Sequence, residues 1–137
     1  MLKIGLALTL GGFVTLSVPC FSQTPAQYAQ AAAAGRREVA RSIAAQQDIK
    51  VLVAALKLYR LDVGAYPSPS QGLKALVAAP GAIPGSKGMY IDRLPNDPWG
   101  NPYQYRNPGE HGLIDVYSTG GAAGASEDVP TVIGNWD

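Results

Sequence analysis

A chain of 137 residues with a formal net charge of +1 has room for one modest core and lacks the electrostatic field that nucleic-acid binding needs. Its single cysteine, Cys20, excludes an intrachain disulfide and a thiolate metal site. The 16 glycines and 11 prolines fall mostly after Gly64, so a turn-rich second half follows a first half that is compatible with helix.

Taken from the start, Met1-Leu2-Lys3 is a short basic opening. Ile4 to Val18 is an apolar run, and Pro19-Cys20-Phe21-Ser22 ends it. This layout predicts a signal peptide over residues 1–22, cut after Ser22. The alternative is a short membrane anchor, but the run has about 15 residues where roughly 20 are needed to span a bilayer. A lipoprotein reading through Cys20 is opposed by Pro19 directly before it.

Residues 23–38 read as a helical or mobile arm. From Ala26 to Val63 there is no proline and alanine is abundant, which predicts a helix, broken or frayed near Gly35. Ile49, Leu52, Leu56, Tyr59 and Val63 recur at steps of three and four and set one apolar stripe. Arg41, Asp48, Lys50, Lys57 and Arg60 are assigned to the solvated side. Arg36, Arg37 and Arg41, with Glu38 among them, form a small basic cluster. It suits either contact with an anionic lipid surface or, the favoured reading, a plain solvated helix face. Gly64, with Pro67 beyond it, ends the helix.

Ser68-Pro69-Ser70-Gln71 has the pattern of a capping box and predicts a second helix of about ten residues with Leu73, Leu76 and Val77 inward. An irregular crossing from Ala79 to Gly88 leads to Met89-Tyr90-Ile91, read as a short strand. Pro95, Asp97, Pro98, Gly100, Asn101 and Pro102 surround Trp99 and predict a rigid turn. Tyr103 to Arg106 and Leu113 to Ser118 alternate on either side of the loop Asn107 to Gly112, a β-hairpin. The expected class is α+β: a long helix packed on a small antiparallel sheet, with a short second helix.

The motifs Leu94-Pro95, Asp97-Pro98-Trp99-Gly100-Asn101-Pro102-Tyr103, Pro108-Gly109-Glu110-His111-Gly112 and Ile133-Gly134-Asn135-Trp136-Asp137 resemble the globular domain of the major pseudopilin of bacterial type II secretion systems. Asp48-Ile49, Leu52, Tyr59, Gly64, Tyr66-Pro67 and Gln71-Gly72-Leu73 extend the likeness back to about Ala45. The resemblance implies a pilin-like fold over residues 39–137 and a structural role as protomer or accessory of the pseudopilus. It implies periplasmic localisation, no enzymatic activity, and partners among the pseudopilins and the inner-membrane platform. The N-terminus departs from the family, whose leader is cut between glycine and phenylalanine and whose apolar helix carries a glutamate five residues in. Here Gly12-Phe13 is followed by Ser17 at that place. With the stalk replaced and the apolar stripe covered by its own sheet, the chain is expected to dock on a pseudopilus rather than to polymerise. A different reading is a free periplasmic binding module that grips a peptide or glycan through Tyr90, Trp99, Tyr103 and Tyr105.

Candidates for chemistry are few. His111 is the only histidine, and no nucleophile motif accompanies it. Asp92, Asp97 and Asp115 are possible acid or base carboxylates, but Asp97 suits a turn, bonding amides, and Asp115 alternates in a strand. No catalytic residue is expected. The resemblance also implies calcium in the loop before the Ile-Gly-Asn-Trp tail. The family's aspartates there fall on Ala122 and Val132, which leaves only Glu127 and Asp128, too few for a cation that takes six to eight oxygens. No metal or other cofactor is therefore expected. Trp136 is read as an apolar plug for the tail.

Overall fold

The computed structural model describes residues 24–121 and 132–137. The export signal predicted for residues 1–22 lies outside them, as do Ala122, Glu127 and Asp128.

Helix α1 spans Pro25–Val63. Thr24 and Gln27 close a reciprocal capping box at its start, with Pro25 in the first turn where no amide is needed. The expected break at Gly35 does not occur. One glycine costs a helix about 1 kcal/mol, and the alanines on both sides propagate through it. Gly64 ends the helix at φ 89°, and its N–H donates to the Arg60 carbonyl at 2.8 Å.

Ile49, Leu52, Leu56 and Tyr59 are buried as the stripe requires, with Ala45 and Ala55 between them and Val63 only partly covered. Two expectations about the other side fail. Asp48 is half-buried, because its carboxylate accepts the Tyr103 hydroxyl at 2.9 Å. The stripe also does not use up the apolar residues: Val39, Ile43, Val51 and Leu58 are at least half exposed, and Leu61 is 80 % exposed.

The second helix is a six-residue 3₁₀ helix, Gly72–Val77, rather than a ten-residue α-helix. The capping box forms as predicted: the Gln71 N–H donates to Ser68 Oγ and the Ser68 N–H to Gln71 Oε1. Gly72, however, sits at φ +56°, and a left-handed residue cannot continue the turn into an α-helix. Met89-Tyr90-Ile91 is not a strand. The N–H groups of Tyr90 and Ile91 both donate to the Leu76 carbonyl, so no ladder can run past them.

The hairpin is present but shorter than its alternation suggested. Strands β1 (Gln104–Arg106) and β2 (Asp115–Ser118) pair antiparallel, with Tyr105 opposite Val116. A third strand, β3 (Ile133–Gly134), pairs antiparallel with β2 and gives the order β1-β2-β3. Tyr103, Ile114, Val116 and Ile133 then meet the buried stripe of α1 and the Leu73–Leu76 turn in one core.

Candidate functional site

Two buried aspartates organise the loops at the edge of this sheet. Asp97 is 3 % exposed. Its Oδ1 accepts the Trp99 and Asn101 N–H groups at 3.1 and 2.7 Å, and its Oδ2 accepts the Ser118 hydroxyl at 2.5 Å. It bonds turn amides as expected and also ties the Trp99 turn to the end of β2. Asp115, 1 % exposed, does the same for the hairpin loop. Its carboxylate accepts the Glu110 and His111 N–H groups and lies 3.1 Å from His111 Nδ1. Burial alone would raise the Asp115 pKa, but the His111 ring and the two amides outweigh it and hold the carboxyl below its ordinary value. Alternation in the strand hid this role.

His111 stacks on Trp136 with ring centroids 3.8 Å apart and planes 15° from parallel. It holds the tail against the hairpin loop. Trp136 itself is 36 % exposed and is not the expected plug; Ile133, fully buried three residues before it, fills the core instead. The tail also bonds through Asn135, whose Oδ1 accepts the Val116 N–H and whose Nδ2 donates to the Ile114 carbonyl. Gly134 is required here, since a Cβ would come within 2.5 Å of the Trp136 ring.

Of the four aromatics proposed as a gripping surface, Tyr103 is buried and Tyr90, Trp99 and Tyr105 are half-buried, and each gives its polar hydrogen to a partner within the fold. Tyr90 donates to Asp62, which also pairs with Lys87 at 3.0 Å. Tyr103 donates to Asp48 and Tyr105 to the Pro67 carbonyl. Burial, above all, pushes the Tyr103 hydroxyl up strongly and the Tyr105 hydroxyl to about 12. Trp99 is half-buried, and its Nε1–H donates to Glu38 Oε1 at 2.8 Å. The Glu38 of the basic cluster is thus a ligand of the head, besides pairing with Arg41 at 3.5 Å. Neither the spacing of Glu38 and Trp99 nor that of Asp48 and Tyr103 signals these bonds, since 61 and 55 residues separate the partners.

Among the described residues, the side-chain partners of the His111 ring are a buried carboxylate and an indole. Asp92 is exposed on the surface. Among the described residues no group of three or more His, Cys, Asp or Glu is placed to hold a metal ion. The donor set implied for calcium does not fit this chain: Ala122 and Val132 have hydrocarbon side chains, and Val132 lies exposed at the approach to β3.

A long helix laid on a small antiparallel sheet, its loops held by buried aspartates, defines a pilin-type structural module. The chain matches the family described as Type II secretion system (T2SS), protein G, over residues 32–136. It is 48% identical to the Type II secretion system core protein G of Pseudomonas aeruginosa, an alignment covering 74% of this chain and 75% of the relative. Identity to the core protein G of Aeromonas hydrophila is also 48%, over 75% of this chain and 73% of that one. Among solved structures, the major pseudopilin from the type 2 secretion system of enterohaemorrhagic Escherichia coli superposes with a TM-score of 0.63 at 39% identity. That match covers 74% of this chain and 87% of the other. The chain belongs to the type II secretion system protein G family.

Proposed function

We propose that this chain is a structural component of the type II secretion apparatus, a major-pseudopilin-like protomer or accessory of the pseudopilus. The observation that carries the reading is the family match from residue 32 to residue 136, which takes in most of α1 and the head. Its partners are then the other pseudopilins and the inner-membrane platform. It works by packing and docking, without catalysis, and without the calcium that the family resemblance would imply. Among the described residues no helix is long and apolar enough to cross a membrane. The short basic start and the apolar run of only about 15 residues at Ile4 to Val18, ended by Pro19, support an exported form that starts at Gln23 and resides in the periplasm.

The test is affinity purification of the full-length gene product from envelopes of its native cells, with the intact mass read on the same sample. Co-purification of pseudopilins or platform proteins, and a mass lacking Met1 to Ser22, are expected. Recovery free of all secretion proteins would overturn the structural role and favour an independent binding module. A mass retaining Met1 to Ser22, in the membrane pellet, would replace export with anchoring.

A further inference from the structure

Folding sorts the charges of α1 to opposite sides. The helix holds three acids, and each is engaged by the head. Glu38 accepts the Trp99 Nε1–H, Asp48 the Tyr103 hydroxyl, and Asp62 the Tyr90 hydroxyl beside its pair with Lys87. The face turned away from the head is left with cations and apolar side chains. Arg36, Val39, Ile43, Lys50, Lys57 and Leu61 follow one another at steps of three, four or seven, and all are exposed. Leu52, buried in the core, lies nine positions from both Ile43 and Leu61. That is about two and a half turns, which puts the stripe on the side of the helix opposite the core.

Among the described residues, Arg36, Lys50 and Lys57 take part in no ion pair. Asp137 shares a groove with Lys50 and Lys57, but its carboxylate accepts the Gly134 N–H at 2.7 Å. Tyr28 at the lower end and Leu58 near the upper end, both more than half exposed, widen the apolar ground. From Arg36 to Leu61 the stripe runs about 38 Å, at about 1.5 Å per residue. The basic cluster read from the sequence does not carry this surface, because the helix divides it. Arg41 pairs with Glu38 on the head side, and Arg37 turns about 100° from Arg36.

We infer that this face of α1 lies on a membrane surface that contains anionic lipid, with the helix parallel to the bilayer and the head turned away from it. Cations interleaved with exposed apolar side chains along one helix face make an interfacial surface. The charged ends meet the lipid phosphates, while their hydrocarbon stems and the apolar residues enter the headgroup layer. Over Arg36 to Ile43 the stripe is the outer side of a helix none of whose described residues is buried there. It offers an acidic protein no pocket, whereas a bilayer needs none. With its apolar side chains spaced out and no run able to span, the contact is shallow and reversible. It goes beyond the proposed function, since it depends on residues of α1 and not on entry into a pseudopilus.

The test uses the full chain recovered from producing cells, with vesicles of phosphatidylcholine alone and vesicles in which about a quarter of the lipid is phosphatidylglycerol. Co-sedimentation with the anionic vesicles is expected, with release as salt screens the charges. Acetylation of surface amines, read peptide by peptide, should be slowed by the anionic vesicles at Lys50 and Lys57 and unchanged at Lys74. Lys50→Glu combined with Lys57→Glu should weaken partition to those vesicles at least about tenfold. Lys74→Glu combined with Arg93→Glu changes net charge equally and should weaken it by no more than about twofold. All four sites are exposed, and melting checks that both variants fold. Equal retention by the two kinds of vesicle, with Lys50 and Lys57 labelled as fast as in solution, would overturn the contact, and so would equal losses in the two variants. Binding to polyglutamate with no response to vesicles would also overturn it and assign the face to an acidic protein. Co-purification with secretion proteins is a separate result, so the contact and the proposed function can fail independently.

Discussion

The two ends of α1 are one continuous helix held by different physics. From Ala45 to Tyr59 the helix buries six side chains in the core, whereas none of its described residues before Ala45 is buried. The upper segment is helical because tertiary packing makes it so. The lower one rests on alanine propensity and the Thr24 capping box, with the Trp99 to Glu38 hydrogen bond, among the described residues, tying it to the head. The contrast separates a head that must fold as a unit from an arm that can vary without disturbing it.

The largest expected effect comes from within one turn of the packed half. Leu56→Ala, at a fully buried site, should cost about 2–5 kcal/mol in urea unfolding. Leu58→Ala, two residues on and 53 % exposed, should stay within about 0.5 kcal/mol. Equal losses at the two positions would break the distinction between the faces.

Acid should act next, and on the head. The Asp115 carboxyl is depressed in the folded state, so its stabilisation is complete above the unfolded value of about 3.9 and is lost as pH falls through the folded value. Thermal melting should therefore lose stability below about pH 4. Asp115→Asn should start lower and respond less steeply over that range. An unchanged slope in the variant would mean that other carboxylates control acid sensitivity.

Trp99→Phe sharpens the boundary between the two halves. It keeps an aromatic ring near Gly121 and removes the N–H donated to Glu38 together with part of the indole. A loss of about 1 kcal/mol is expected, with faster amide exchange confined to the helix around Glu38. Acceleration reaching Leu52 to Tyr59 would show that the arm and the head unfold together. The smallest effect is that of calcium: melting in excess chelator and in millimolar calcium should coincide, because Ala122 and Val132 offer no carboxylate to offset the cost of dehydrating the ion. A clear rise with calcium would mean that Glu127 and Asp128 take part in a working site.

Much of the architecture was legible because it rests on local chemistry. The three- and four-residue steps of Ile49, Leu52, Leu56 and Tyr59, the left-handed Gly64 and the Trp99 turn are all written in neighbouring residues. The second helix misled because the Ser68 to Gln71 box is genuine while Gly72 then reverses φ. Strand β3 was hidden because two residues, Ile133 and Gly134, are too few to alternate. The bonds of Asp48, Glu38 and Asp115 were not legible for another reason. A carboxylate on a helix or strand looks the same whether it faces water or a donor brought in from elsewhere in the chain.

The central proposal is that this head can work as a pseudopilin domain while Met1 to Ala34 does not serve as a family stalk. Secretion measured in cells lacking their own major pseudopilin tests it most directly. The gene is supplied once as written and once with Met1 to Ala34 replaced by a pseudopilin leader and stalk, a junction that leaves Glu38 and its bond to Trp99 intact. The account predicts that secretion stays blocked with the first and returns at least in part with the second. Full rescue by the chain as written, or none by the graft, would contradict it.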